Sequence, residues 1–445
     1  MNTKRTIFKI CWVGLLSFGL LSFAPVAEVK FASLQFAIDK FAIGPTPAQA
    51  YDSWYNSGDN NSNSWDQPFD RSAAREWEKN PPKGFATLDK SNVQPMKAAI
   101  KRYSAIVSAG GWRKISTKER LKAGMRTKAV ALLRKRLELS GDLEKSSNYS
   151  NFFDYYVERA VKRFQVRHGL TPTGIVGRRT RAALNVSANI RLRQLRTNIA
   201  RMYGLVRNTA KRYVAVNIPA QHVEVIENGQ IVSRHAAVVG KRDRQSPRLR
   251  SKVHEINFNP YWNVPQSIVR KDLVPKARSE AKRGPTDILE RFKISALDSK
   301  GRKVDPKRIN WFSDSVYNYR YRQDPWKDNS MGFVKINFHN AHAVYMHDTP
   351  SKSLFGRNLR ANSSGCIRVQ NVKKLVTWLL QSNPDWNRGR VDQMKENGQR
   401  LDVRLKKPVP IYFVYVTAWA TPDGTIHFRR DLYNLDGVGK TASAY

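Results

Sequence analysis

One short segment, HDTPSKSLFGRNLRANSSGCIR over residues 347–368, joins an imidazole to a thiol. His347 closes an alternating apolar run, AVYMH, which predicts a strand whose end holds the ring rigidly. Cys366 follows Gly365, a residue that permits a tight turn and lets main-chain N–H groups approach a carbonyl. A cysteine nucleophile needs thiolate character, a base for its proton and donors for the oxyanion that forms on the attacked carbonyl. The segment holds a residue for each task, and Arg368 adds a charge that favours the thiolate and suits a substrate carboxylate. The chemistry these residues fit is acyl transfer through a thioester.

The thiol carries more meaning because it is expected to be alone. The chain has 445 residues and 2 cysteines. Cys11 lies in the apolar run ICWVGLLSFGLLSFA (10–24), preceded by Lys4, Arg5 and Lys9, which reads as an export signal over residues 1–50. Ala48-Gln49-Ala50 before Tyr51 marks a cleavage point, with an earlier cut near Ala27 or a retained anchor as alternatives. After removal Cys366 has no intrachain partner in an oxidising compartment, so it is either reactive or a small buried hydrophobe. A net charge of +42 points to a polyanion. Export and the scatter of basic residues without a recognition helix argue against nucleic acid, and favour wall carboxylates, lipid phosphates or an anionic envelope surface. The expected location is periplasmic and wall-associated, with membrane contact only through the signal segment.

The composition, 41% hydrophobic and 11% aromatic, fits folded material in more than one domain. Residues 51–85 are rich in Asn, Ser, Asp and Pro and read as a flexible leader. Residues 86–118 carry a helical stripe ended by Gly110-Gly111. A compact unit of three short helices follows at 119–187: Val130, Leu133, Leu137 and Leu139 mark the first, Val157, Val161 and Phe164 the second, and TRAALN the third. A polar linker helix covers 188–208. From 209 to 420 the periodicity turns to β, with Asn228-Gly229 as a hairpin turn and a helical and loop insertion at about 266–330. Residues 421–445 read as a polar tail. The fold class is α+β.

Two stretches resemble known families. LLRKRLELSGDL with AVKRFQVRHGLTPTGIVGRRTRAALN (132–143 and 160–185) resembles the peptidoglycan-binding domain of wall enzymes, with Thr173 where many members carry Asp. His347 followed by SSGCIRV resembles the YkuD-type L,D-transpeptidases, cysteine enzymes that cross-link peptidoglycan. HDTPSKSLF, NPYWNVP and the insertion point to the larger Gram-negative subgroup, which has a capping lid. The resemblance implies Cys366 as nucleophile, His347 as its proton partner, and Gly365 with Cys366 as part of the oxyanion hole. Arg368, Ser364, Ser363, Asp348, Trp262 and Tyr321 are the implied substrate-binding residues. Trp326 stands where a lid glycine is expected, and Trp311, Phe312, Tyr317, Tyr319 and Tyr321 either cover the cleft or form a satellite core. The implied reaction releases D-Ala from a tetrapeptide stem and passes the diaminopimelate acyl group to an amine. That amine belongs to a second stem or to an envelope protein.

Competing readings use the same residues. A cysteine amidase or peptidase would deliver the thioester to water, and a wall anchor would need no thiol. His339, His342 and His347 suggest zinc, but strand parity sets His342 and His347 on opposite faces and no carboxylate motif completes a set, so neither metal nor cofactor is expected.

Overall fold

The computed structural model describes residues 84–145 and 150–437, together with Lys79. The expected export segment and almost all of the 51–85 leader lie outside these residues. Among the described residues no helix is long and apolar enough to cross a membrane.

The helical stripes fold as their spacing requires. α1 (Val93–Ser108) is followed by α2 (Lys128–Ser140), which Thr127 caps by accepting from Ala129 N at 3.1 Å. α3 (Tyr155–Arg167) is capped by Asp154, which accepts from Val157 N at 2.9 Å, and α4 (Arg178–Leu184) completes the unit. Leu133, Leu137, Val157, Val161, Phe164 and Leu184 meet in one buried core. Burial of each stabilises this small domain by roughly 2 kcal/mol. The Gln of the FQ motif has a structural task. Gln165 Nε2 donates to Thr173 Oγ1 (3.2 Å), Ile175 O (2.9 Å) and Thr180 Oγ1 (3.0 Å), while Oε1 accepts from Gly174 N (2.9 Å). One buried side chain thereby ties the TGIVG loop to α3 and α4, and Thr173 fills a place in that network.

α5 (Ala188–Val206), expected as a linker, is instead a structural wall. With α1 it buries Leu195, Met202, Met96 and Tyr103 against Tyr213, Ala215, Tyr412 and Val414 of the sheet. The strands are β1 (Arg212–Asn217), β2 (His222–Glu227), β3 (Gln230–Gly240), β4 (Leu249–Phe258), β5 (Trp262–Asn263), β6 (Ile294–Leu297), β7 (Arg320–Gln323), β8 (Val334–Phe338), β9 (Met346–His347), β10 (Ala361–Ser363), β11 (Ile367–Val369), β12 (Leu401–Val414), β13 (Ala418–Ala420) and β14 (Ile426–Phe428). The main sheet runs β10-β3-β11-β9-β8-β4-β12-β1-β2, and β2 also pairs with β3, so the sheet rolls back on itself. Its inner face is the largest core, with Val214, Val225, Ile256, Ile336, Met346, Ile367 and Ile411 among its members.

The insertion departs from a purely helical and loop lid. α6 (Gln266–Ile268) passes through a π-helical turn (Val269–Leu273) into α7 (Val274–Ala281), and α8 (Ile288–Arg291) follows. The strands β5, β7 and β6 add a small sheet to it. These strands are too short for alternation to announce them. After β11, α9 (Val372–Leu379) closes the end of the main core.

The expected polar tail is corrected by packing. β13 and β14 form a hairpin, and Leu432 and Tyr433 enter the main core. Tyr433 Oη donates to Gly240 O at 2.8 Å and accepts from Ser246 N at 3.2 Å. The anchoring apolar residues are spaced among polar ones, so no local pattern reveals them.

Candidate active site

Three adjacent strands carry the candidate site. Val334, Ile336, Met346, Ile367 and Val369 face the inner core, which turns their neighbours Lys335, His347 and Arg368 to the opposite face. Registration then aligns those neighbours: His347 pairs with Lys335 on β8 and with Arg368 on β11. Tyr345 shares the parity of His347, and their rings lie 5.7 Å apart. Ile367 N donates to Tyr345 O at 3.0 Å, which sets Cys366 beside Tyr345. The Tyr345 phenol lies within electrostatic reach of the Cys366 sulfur and accepts from Trp262 Nε1 at 3.1 Å. Lys335 Nζ lies 4.6 Å from the centre of the Tyr345 ring.

The loop before Cys366 is held from both sides. Gly365 has φ +115°, a conformation that side chains disfavour. Ser363 Oγ accepts from Gly365 N at 3.1 Å and donates to Cys366 O at 2.5 Å. Ser246 Oγ donates to Gly365 O at 2.8 Å and accepts from Gly240 N at 2.9 Å. The Gly365 N–H, expected to help form the oxyanion hole, is engaged here by Ser363. Ser364 Oγ accepts from Arg244 Nη1 at 3.0 Å. The connection between His347 and Cys366 is pinned by Leu354 and Phe355, which bury themselves against Ala236 and Val238 of β3.

Burial sets the protonation states. Cys366 is half-buried, and desolvation pushes its thiol up to about 11. Hydrogen bonding to Tyr345 and the charges of Lys335 and Arg368 oppose the shift without cancelling it. Burial first, then Arg368, lowers His347 to about 3. The imidazole Nδ1 is sealed from solvent without a hydrogen-bonding partner. Burial therefore opposes the expected thiolate and favours the neutral forms of both Cys366 and His347. A neutral imidazole is the form that accepts a proton.

Not every expected residue faces the sulfur. Asp348 is buried, its Oδ2 accepts from Phe333 N at 3.2 Å and its Oδ1 pairs with Lys352, so it braces the strand ends. Tyr321 is only 2% exposed and donates to Val316 O at 3.0 Å inside the lid core, which corrects its expected contact with substrate. Trp311 stacks near it at 6.4 Å, whereas Phe312 is exposed. Trp262 is buried and reaches the site through Tyr345. Ser363 orders the loop. Tyr345, Lys335 and Arg244 were missed. Period-2 parity with His347 was a usable signal for Tyr345; Lys335 and Arg244 had no local one.

Residues 211–411 match the L,D-transpeptidase catalytic domain family YkuD, and residues 126–184 match the family described as "Putative peptidoglycan binding domain". A protein of Haemophilus influenzae (strain ATCC 51907 / DSM 11121 / KW20 / Rd) named "Putative L,D-transpeptidase" is 34% identical over 224 residues. That match covers 50% of this chain and 44% of the relative, so the chain spans less than half the length of that protein. Among solved structures, the L,D-transpeptidase (residues 123–326) from Xylanimonas cellulosilytica DSM 15894 is 15% identical, covering 67% of this chain and 99% of that one with a TM-score of 0.23. The L,D-transpeptidase (Yku) from Stackebrandtia nassauensis is 12% identical, covering 67% and 96% with a TM-score of 0.26. Both superpose loosely. By the two family matches, a stretch similar to a peptidoglycan-binding domain (126–184) precedes one similar to the L,D-transpeptidase catalytic domain YkuD (211–411).

Proposed function

We propose that the protein is exported and cross-links peptidoglycan, with Cys366 as nucleophile and His347 as the base that takes its proton. The observation that carries this reading is the register that aligns Lys335, His347 and Arg368 on three adjacent strands, with Tyr345 and Cys366 next to each other at the strand ends. The donor is a tetrapeptide stem. As the sulfur attacks the diaminopimelate carbonyl, its proton passes to neutral His347. The Tyr345 hydrogen bond and the Lys335 and Arg368 charges steady the negative charge gathering on sulfur. The Cys366 N–H is the loop's donor toward the oxyanion, because Gly365 N is engaged by Ser363. Imidazolium then returns the proton to the departing D-Ala amine, leaving a thioester. An amine of a second stem attacks that thioester, loses its proton to His347 and restores the thiol.

The lid serves transfer by excluding water. Its core packs against Tyr345, to which Trp262 donates, and this contact supports that role. Incubation of the purified protein with disaccharide-tetrapeptides tests the reading. Cross-linked dimers with an equal amount of released D-Ala are expected, and both vanish in Cys366→Ala. Accumulation of cleaved tripeptide without dimers would replace transfer by hydrolysis. Unchanged dimer formation by Cys366→Ala would remove the thiol from the reaction.

A further inference from the structure

The lid is held to the catalytic loop by one ion pair whose chemistry resembles substrate recognition. Asp272 lies in the π-helical turn of the insertion and is 6% exposed. Arg244, on the loop after β3, grips both of its oxygens: Nη2 donates to Oδ1 at 2.9 Å and Nη1 donates to Oδ2. The same Nη1 donates to Ser364 Oγ at 3.0 Å, so the guanidinium touches the lid and the catalytic loop together. The loop is not free to drift. Lys241 N donates to Ser363 O at 3.0 Å, and Ser246 is bonded to Gly365.

Three cations gather there. Besides Arg244 there are Lys241, whose ammonium lies within electrostatic reach of Arg244, Asp272 and Arg368, and Arg368 itself beside His347. Asp272 is the buried acid among them; Asp243 approaches Arg244 Nε at 3.6 Å but is largely exposed. A bidentate fork on a buried carboxylate is the geometry with which arginine takes a carboxylate ligand.

We propose that Lys241, Arg244 and Arg368 form a carboxylate-binding subsite beside Cys366, and that Asp272 of the lid fills it as an internal surrogate until a ligand carboxylate displaces it. The inference rests on the proposed transfer from a peptide donor, whose free carboxylates supply the displacing group. Carboxylate binding and release of the lid from Arg244 are then one event. A donor bearing a carboxylate releases the lid from Arg244, and a neutral analogue leaves it latched.

The test uses two small alkylating agents on the full-length protein, so it does not depend on peptide transfer. Iodoacetamide is neutral and iodoacetate carries a carboxylate; in both the sulfur–carbon bond forms as iodide leaves, and the thiol proton goes to buffer. The reading is the ratio of iodoacetate to iodoacetamide rates at Cys366, followed by intact mass. Asp272→Asn empties the subsite and should raise the ratio roughly tenfold, the effect of one partly screened charge contact. Arg244→Gln should lower it below the wild-type value, and Asp272→Glu, which keeps the surrogate charge, should leave it unchanged. Equal acceleration of both agents in Asp272→Asn would show a loosened lid with no carboxylate subsite. A ratio unaltered by Arg244→Gln would likewise overturn the proposal. Loss of cross-linking with the expected ratios intact would overturn the transfer reading and spare the subsite.

Discussion

Tyr345→Phe isolates the hydroxyl that holds the Cys366 thiol down against its burial. The change leaves the ring, its 5.7 Å approach to His347 and its contact with Lys335 in place, and removes only the oxygen. A hydrogen bond to a charged group is worth about 1.5–3 kcal/mol, so loss of this one should lower the thiolate population at fixed pH by roughly 10- to 100-fold. Its absence also removes the hydrogen bond that Trp262 Nε1 donates to the same oxygen at 3.1 Å. Loss of one such bond costs about 0.5–1.5 kcal/mol, which lowers Tm by a few degrees at most. The assay is alkylation of Cys366 by iodoacetamide from pH 7 to 11. With the thiol pushed up to about 11, the wild-type rate should climb about tenfold per pH unit through most of that range. The Tyr345→Phe curve should run parallel and lower. Identical curves for the two proteins would refute the assignment of Tyr345 as the hydrogen-bonding support of the thiolate.

Gly332→Ala should destabilise the protein by about 2 kcal/mol or more, read from denaturant midpoints, because φ is +59° and a Cβ would stand 2.4 Å from Asp348 Oδ2. His235 is buried, with Nδ1 3.0 Å from Gln370 O and Nε2 2.9 Å from Ser233 Oγ, and burial lowers it to about 4. Its folded value lies below its unfolded value near 6.5, so the unfolded chain binds the extra proton and stability is lost as pH falls from about 6.5 to about 4. Replacing His235 by Gln should flatten the slope of stability against pH in that window by about 1.4 kcal/mol per unit. Gln165→Ala should lower the thermal midpoint of the helical domain and its retention on isolated sacculi, while iodoacetamide still reaches Cys366 at the wild-type rate.

Local patterns carried much of this. Val157, Val161 and Phe164 announced a buried helix stripe because helical spacing is a property of neighbours along the chain, and all three are fully buried. His347 and Cys366 were visible because the motif that bears them is continuous. Proximity to that motif was a poorer guide for polar residues. Asp348 and Tyr321 looked like substrate contacts but are occupied by Phe333 N and Val316 O, and sequence does not distinguish a satisfied polar group from an available one. Long-range partners left no trace. Arg244 and Ser364 are joined only by folding, and α5 became a wall of the sheet because Tyr213 and Tyr412 wait on the other side. The cations that favour a thiolate were legible in the sequence, whereas the desolvation that opposes it depends on the fold.

Intact-mass spectrometry after brief mixing with a tetrapeptide stem bears most directly on the catalytic account. Wild-type protein should gain the mass of the stem less D-Ala, mapped by digestion to Cys366 as a thioester, and Cys366→Ala should gain nothing. Cross-links formed with no adduct on Cys366, or with an adduct on another residue, would contradict it.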